Sequence, residues 1–149
     1  MIGTWVLYIP RVKEKLGIDD GELGVALFCM GLGSLVSLTV ASRVIKRVGV
    51  GASTVAGIII FSLLFLMPLL APSYALLCVS LFSVGLFSCF TDIAMNALVS
   101  DIETEDDVHI MSSSHGFFSI GGAIAAVIGY FIIDLVKVPV YHSMGAAIL

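Results

Sequence analysis

The longest charge-free stretch of the sequence indicates which class of fold this chain adopts. Residues 48–91 read VGVGASTVAGIIIFSLLFLMPLLAPSYALLCVSLFSVGLFSCFT, 44 positions without Asp, Glu, Lys or Arg. An α-helix crosses the hydrocarbon core of a membrane, about 30 Å thick, in about 20 residues, because each residue rises 1.5 Å. The stretch is long enough for two such spans. Pro68 and the turn-forming segment Ala71–Ser73 lie near its middle, and they predict two antiparallel helices joined by a tight turn.

The composition of the whole chain agrees with a membrane location. Apolar residues make up 59% of the 149 residues and charged residues 12%, and the mean hydropathy is +1.13. An ordinary globular chain has roughly 45–50% apolar and 25% charged residues, and so few charges do not cover a soluble surface. The net charge of −4 offers no basic patch for nucleic acid. The composition excludes a cytosolic enzyme, a nucleic-acid-binding protein and a disordered chain, and it predicts an all-α integral membrane protein.

Further spans lie on either side of this stretch. No charged residue occurs between Glu22 and Arg43 or between Asp107 and Asp134. The apolar segments at the two ends of the chain are shorter than a span. We therefore expect one transmembrane domain over residues 1–149, cut inside its first and sixth helices, with helices at 1–9 (partial), 22–42, 52–70, 74–99, 111–133 and 138–149 (partial). Polar connections are expected at 10–20, 43–51, 71–73, 100–110 and 134–138.

Local patterns predict where two of these helices begin. Asp19, followed three residues later by Glu22, has the spacing of a capping box at the start of the second helix. Ser112–Ser114, preceded by Asp106 and Asp107, predicts the start of the fifth helix, where acidic side chains face the positive end of the helix dipole.

Small residues recur at helical spacing and predict close contacts between helices. In lipid, helix backbones approach each other most closely where such residues line one face. The residues concerned are Gly24, Gly31, Gly33, Ser34, Ser37 and Ala41 in the second helix, and Gly121, Gly122, Ala125, Ala126 and Gly129 in the fifth.

The residue types for cofactor or covalent chemistry are missing from the sequence. Cys29, Cys78 and Cys89 all lie in apolar segments, and their spacing predicts neither a disulfide framework nor a zinc site. The sequence contains no glycine-rich nucleotide-binding loop and no recognisable catalytic triad. We therefore expect no cofactor, no metal and no enzymatic activity.

One acidic residue lies where a membrane helix should carry none. Asp92 interrupts an apolar helix, and a carboxylate at membrane depth costs a few kcal/mol unless it is paired, protonated or exposed to water. Asn96, four residues later, projects from the same helical face. Asp92 lies about 10 Å from the expected end of its helix at residue 99, and His115 lies about 6 Å past the start of the next helix. The three side chains are therefore expected at similar depth, facing the interior of the bundle.

Two interpretations of this polar cluster are open. A carboxylic acid and an imidazole in one site can take up and release a proton near neutral pH, and intramembrane ionisable groups are usually functional. The alternative is a hydrogen-bonded cross-link that only holds the two helices together. An integral-membrane enzyme using Asp92 and His115 as acid and base is a third possibility, but the sequence offers no nucleophile or metal site beside them.

The charges do not orient the chain in the membrane. Lys and Arg favour the cytoplasmic side, but the two sides carry nearly equal numbers of them, with Arg43, Lys46 and Arg47 on one side and Arg11, Lys13, Lys15 and Lys137 on the other. The acidic run SDIETEDD at 100–107 predicts a solvated loop and contributes little to orientation.

Several segments resemble the N-terminal half of a major facilitator superfamily transporter. SRVIKRVG at 42–49 resembles the family's loop motif between the second and third helices, of general form G-x-L-a-D-R-x-G-R-R. TDIAMNALVSDIE at 91–103 and IMSSSHGFFSIGG at 110–122 resemble the fourth- and fifth-helix signatures of a bacterial inner-membrane branch similar to the fucose permease group of sugar/proton symporters. Lys46 stands where the loop motif has Asp, and Ser42 where it has Gly, so the salt-bridge gate of that loop is not expected here.

The resemblance implies a fold, a function and a set of partners. The fold is half of a bundle that works by rocking two six-helix halves around a central site. The function is secondary transport of a small polar solute, such as a sugar, by proton-coupled symport in the bacterial inner membrane. Asp92 carries the proton, Asn96 and His115 bind it or the solute, and the loop motif residues Arg43, Lys46, Arg47 and Gly49 face the cytoplasm with 100–110. The implied partners are the lipid bilayer, the solute, a proton and the C-terminal half, and the fragment alone is expected to be inactive. The rival hypothesis is a non-transporting receptor or assembly factor built on the same bundle.

Overall fold

A computed structural model describes residues 2–132 of the chain. This part is entirely helices and connections, without a β-strand: α1 Ile2–Leu16, α2 Asp20–Val48, α3 Val50–Leu64, α4 Met67–Leu70, α5 Tyr74–Asp106 and α6 Met111–Ile132. The predicted all-α membrane fold is confirmed. Residue 133 and the partial helix predicted at 138–149 lie outside the described residues.

Three segments of the described chain are long and apolar enough to cross a membrane. They are α2, the segment Val50–Leu70 formed by α3 and α4, and α5. Many of their large apolar side chains point outward; Phe28 is 66% exposed and Leu63 65% exposed. In water such a surface would drive aggregation, whereas in a bilayer it contacts lipid.

The first helix runs past the proline at which the sequence predicted its end. Pro10 lies inside α1, which continues to Leu16. Val12, only 4% exposed, packs into the core beyond the proline, and this burial outweighs the loss of one backbone hydrogen bond. Gly17 ends the helix with φ +64°, and the N–H of Ile18 donates to the carbonyl of Lys13 at 3.2 Å.

The prediction of a polar loop at 43–51 is wrong. Helix α2 runs to Val48, and Gly49 alone separates it from α3, with φ +93°. Ile45 continues the buried stripe of α2, so the apolar pattern extends past the first basic residue. Basic side chains in the last turn of a helix also interact favourably with its dipole, which explains why Lys46 and Arg47 belong to the helix.

The helix predicted at 74–99 is also longer than expected. Helix α5 begins at Tyr74 as predicted but continues to Asp106, so most of the acidic run forms its final turns. Asp107 ends the helix in the left-handed conformation, with φ 51°, which Asp adopts more readily than most residues. The single helix predicted at 52–70 is interrupted at residues 65–66, because Pro68 has no N–H to donate to the preceding turn.

Helices α2 and α5 run parallel and touch backbone to backbone. A Cβ atom placed on Gly33 would lie 2.0 Å from the carbonyl oxygen of Phe82, and one on Gly85 would lie 1.9 Å from that of Met30. The Ser34 hydroxyl donates to the Gly85 carbonyl at 3.1 Å. The prediction that small residues of the second helix mediate a close contact is therefore confirmed at Gly33.

One end of the bundle is tied together by polar side chains. The predicted capping box is present: Asp19 Oδ1 accepts from the Glu22 N–H at 2.7 Å, and Glu22 Oε2 accepts from the Asp19 N–H at 3.0 Å. The Tyr74 hydroxyl donates to the Glu22 carbonyl, and Lys15 Nζ donates to the carbonyls of Leu69 and Ala71. These bonds place the ends of α1 and α4 beside the beginnings of α2 and α5.

Candidate functional site

A cleft of about 230 Å³ opens between α5 and α6. It brings together all three polar residues singled out from the sequence. Its lining residues are Asp92, Met95, Asn96 and Val99 of α5, and Ser114, His115 and Phe118 of α6.

The rotation of α5 about its axis aims Asp92 into this cleft. Thr91 and Ala94 face the opposite way and are buried, 5% and 0% exposed. A Cβ atom placed on Gly57 of α3 would lie 2.8 Å from the Thr91 hydroxyl oxygen, so Thr91 packs closely against α3. Ala94 packs with Ile45 of α2. Because these contacts orient α5, Asp92 and Asn96 are left on the side that faces α6.

Asp92 and His115 are the two ionisable residues that line the cleft. The carboxylate and the imidazole are close enough to interact electrostatically, and both residues line the cleft and are exposed. A carboxylate facing an imidazole across an open space has the chemical components for proton exchange.

The distance from Asp92 to the end of its helix was underestimated from the sequence. Because α5 continues to Asp106, Asp92 lies 14 residues from the end of its helix, or about 21 Å rather than about 10 Å. His115 lies four residues past the start of α6, as estimated. Helix α6 begins beside Glu103, before the end of α5, because the Glu103 carboxylate accepts hydrogen bonds from the first backbone N–H groups of α6. Asp92 and His115 both line the cleft that the two helices form.

Four lining residues were missed by the sequence interpretation. Ser114 was interpreted as part of a helix start, while Met95, Val99 and Phe118 were not proposed as site residues. Their spacing was a usable signal: residues 92, 95, 96 and 99 lie on one face of a helix, and so do 114, 115 and 118.

The polar groups of the cleft present more acceptors than donors. The Asp92 carboxylate only accepts hydrogen bonds when it is ionised, and Asn96 both donates and accepts. The Ser114 hydroxyl donates to the Ile110 carbonyl at 3.0 Å, so its remaining capacity in the cleft is as an acceptor. Met95 and Phe118 supply an apolar wall beside these groups.

The four residues of the predicted loop motif lie away from the cleft. Arg43, Lys46 and Arg47 are exposed on the last turns of α2, and Arg43 Nη1 donates to the carbonyl of Thr39 at 2.9 Å. Gly49 occupies the positive-φ position between α2 and α3, where a residue with a Cβ would be strained. None of the four lines the cleft between α5 and α6.

Two cysteines whose spacing in the sequence did not predict a pair lie close together. The thiols of Cys29 on α2 and Cys78 on α5 are near enough to interact electrostatically. Both are free thiols, and neither lines the cleft. Within the described residues, no three His, Cys, Asp or Glu side chains are grouped as metal ligands would be.

The fold and the cleft define an α-helical multi-pass membrane protein that brings polar side chains together between its helices. The chain matches the model of the Major Facilitator Superfamily over residues 1–149. It belongs to that family.

Three bacterial relatives are similar to this chain. It is 32% identical to an uncharacterized transporter of Sinorhizobium fredii, over 99% of this chain and 39% of the relative. It is 26% identical to an uncharacterized MFS-type transporter of Yersinia pestis, over 84% of this chain and 33% of that protein, and 26% identical to the membrane protein MosC of Rhizobium meliloti, over 81% and 30%. The chain thus spans 30–39% of the length of these curated relatives. No solved structure matches it.

Proposed function

We propose that this chain is the N-terminal half of a secondary transporter that moves a small polar solute together with a proton. The observation that carries the proposal is the cleft between α5 and α6, where Asp92, Asn96 and His115 face one space. Its membership of the Major Facilitator Superfamily and the two relatives named as transporters support it. Each relative is more than twice as long as the matched region, which leaves length for a second half.

Asp92 is the proton carrier in this proposal. Its side chain faces an open cleft, so water or a solute can reach it, whereas a residue that only cross-linked two helices would lie in the contact between them. His115 provides a second titratable group within electrostatic reach. Protonation of Asp92 removes the charge of its carboxylate. The free-energy cost of carrying this side chain through the low-dielectric interior of the membrane is then lower.

Asn96 and His115 bind the solute, with Ser114 as a further acceptor. Together with the Asp92 carboxylate, these groups suit a solute rich in hydroxyl donors, such as a sugar. The apolar wall of Met95 and Phe118 contacts its less polar face. The C-terminal half closes the cleft from the other side, and rocking of the two halves exposes it alternately to each side of the membrane.

The proposed location is the bacterial inner membrane, with the connection at Gly49 and the end of α5 facing the cytoplasm. Both lie at the same end of the bundle, opposite the end tied by Lys15 and Tyr74. The resemblance of 42–49 to the family's cytoplasmic loop motif supports this orientation.

Proton flux in the complete transporter tests the proposal. The protein is reconstituted in liposomes loaded with the pH-sensitive dye pyranine, and a neutral hexose, a hexitol and an inositol are added outside in turn. We expect at least one of them to acidify the lumen, and Asp92→Asn to abolish that acidification. Glu105→Gln, which neutralises an exposed acid on the same helix, is the matched control and should leave it unchanged. Acidification that persists in Asp92→Asn would remove the proton-carrier role.

A further inference from the structure

The start of α6 is held by a carboxylate of the preceding helix. Glu103 Oε1 accepts hydrogen bonds from the backbone N–H of Ile110 at 2.6 Å and of Met111 at 2.7 Å. The first N–H groups of a helix have no partner within it, and an anion there also interacts with the positive end of the helix dipole. Hydrogen bonds to a charged acceptor are shorter and stronger than those between neutral groups. The two bonds to Glu103, at 2.6 and 2.7 Å, are short in this way.

Among the acidic residues 101–106 at the end of α5, Glu103 is the one that contacts the start of α6. Its side chain is half-buried, whereas Asp101, Glu105 and Asp106 are exposed. The sequence pattern predicted that Asp106 and Asp107 are the acidic residues at the start of α6. Helix α5 instead includes Asp106, and Asp107 is its C-cap. Glu103 is therefore the acid that meets the beginning of α6.

Helix α6 has little else to hold its start against α5. Its side chains from Ser112 to Ile124 are exposed in the described part of the chain; Phe117 is 75% exposed and Phe118 67%. The helix lies mainly beside α1 rather than α5. The two hydrogen bonds to Glu103 are the polar contacts that link the first turn of α6 to α5 in the described structure.

We propose that Glu103 is a positioning residue for the cleft. By capping α6, it sets the position of Ser114 and His115, which lie one turn beyond Met111, relative to Asp92 on α5. Glu103 itself does not line the cleft. That the positioned cleft binds a solute rests on the proposed function, whereas the capping and its effect on His115 do not.

Hydrogen exchange on the 149-residue chain in detergent tests the capping directly. Glu103→Ala should speed the exchange of the Ile110 and Met111 amides at least tenfold, which corresponds to losing about 1.4 kcal/mol. Glu103→Gln keeps an acceptor oxygen without the charge and should recover part of the protection. Glu105→Ala removes an exposed acid two residues later and should change nothing.

A second measurement follows the position of residue 115. His115→Cys is alkylated with a maleimide, alone and combined with Glu103→Ala, Glu103→Gln or Glu105→Ala. The reaction at residue 115 is followed by peptide mass spectrometry, because Cys29, Cys78 and Cys89 are also free thiols. We expect Glu103→Ala to change the alkylation rate severalfold, Glu103→Gln to change it less, and Glu105→Ala to leave it as it was. Equal exchange and equal alkylation in Glu103→Ala and Glu105→Ala would overturn the inference.

The complete transporter separates this inference from the proposed function. In the pyranine assay, Glu103→Ala should raise the KM for the active solute about tenfold with a smaller change in maximal rate. Glu103→Gln should raise the KM less than Glu103→Ala does. Acidification with an unchanged KM would mean that Glu103 does not position the solute site. If none of the three solutes acidifies the lumen, the proposed function fails while the exchange and alkylation results still decide the role of Glu103.

Discussion

The contact between α2 and α5 depends on a glycine that a single methyl group should disrupt. A Cβ on Gly33 would lie 2.0 Å from the Phe82 carbonyl oxygen and 2.9 Å from the Leu86 backbone nitrogen. Both atoms belong to the backbone, so no change of side-chain rotamer relieves the clash. Real Cβ atoms essentially never approach closer than 3.0 Å, so Gly33→Ala must move the helices apart by about 1 Å.

The size of the effect follows from this separation. Overpacking a well-packed contact costs roughly 1–3 kcal/mol. The Ser34–Gly85 hydrogen bond, 3.1 Å long, would stretch by about the same 1 Å and be lost, at a further cost of about 0.6 kcal/mol in a membrane. We therefore expect Gly33→Ala to lower the free energy of unfolding by about 2 kcal/mol.

Gly31 provides a matched control two residues away on the same helix. A Cβ there would meet nothing within 4 Å. Both substitutions gain the same helix propensity, roughly 0.5–1 kcal/mol, so the difference between them isolates the cost of the clash. Gly31→Ala should leave stability unchanged or raise it slightly.

Thermal unfolding of the 149-residue chain in detergent, followed with a thiol-reactive dye, compares the variants. On a scale of about 2–4 °C per kcal/mol, Gly33→Ala should unfold several degrees below Gly31→Ala. Equal unfolding temperatures for the two variants would refute the backbone contact between α2 and α5. The orientation of Asp92 would then rest on the contacts of Thr91 and Ala94 alone.

Two further predictions concern the same helices. Asp19→Ala removes the capping box that Glu22 completes and should lower the free energy of unfolding by about 1 kcal/mol, measured in the same thermal assay; a loss below about 0.3 kcal/mol would contradict the cap. Mild oxidation with copper phenanthroline should link Cys29 to Cys78, and peptide mass spectrometry should find a peptide pair joining α2 to α5. Cys89→Ser should leave that link unchanged, and a link between Cys89 and either partner would indicate a different arrangement of α2 and α5.

Local features of the bundle could be predicted without the structure. The capping box at Asp19 depends only on residues three positions apart, so its spacing in the sequence was sufficient. Asp92 stood out because one carboxylate in a long apolar helix is costly at any rotation of that helix. The grouping of Asp92, Asn96 and His115 was inferred from their estimated distances to the helix ends. The cleft brings them together although the distance from Asp92 to the end of α5 was underestimated.

Helix ends and helix faces could not be predicted in this way. Basic and acidic residues marked the expected membrane boundaries, but α2 and α5 continue through them, since a helix does not end where the membrane does. The cap provided by Glu103 joins residues seven and eight positions apart, and its formation depends on how far α5 extends and where α6 turns back.

Hydropathy was enough to predict that this chain forms apolar helices of membrane length, because it adds up residue by residue along the chain. It did not determine which face of each helix turns inward. In lipid, outward and inward residues are equally apolar: Phe28 contacts the surroundings while Leu77 is fully buried, and Gly31 is open while Gly33 touches a neighbouring backbone. Those rotations depend on the close fit between helix backbones in the folded bundle, and they set the side of α5 on which Asp92 faces the cleft.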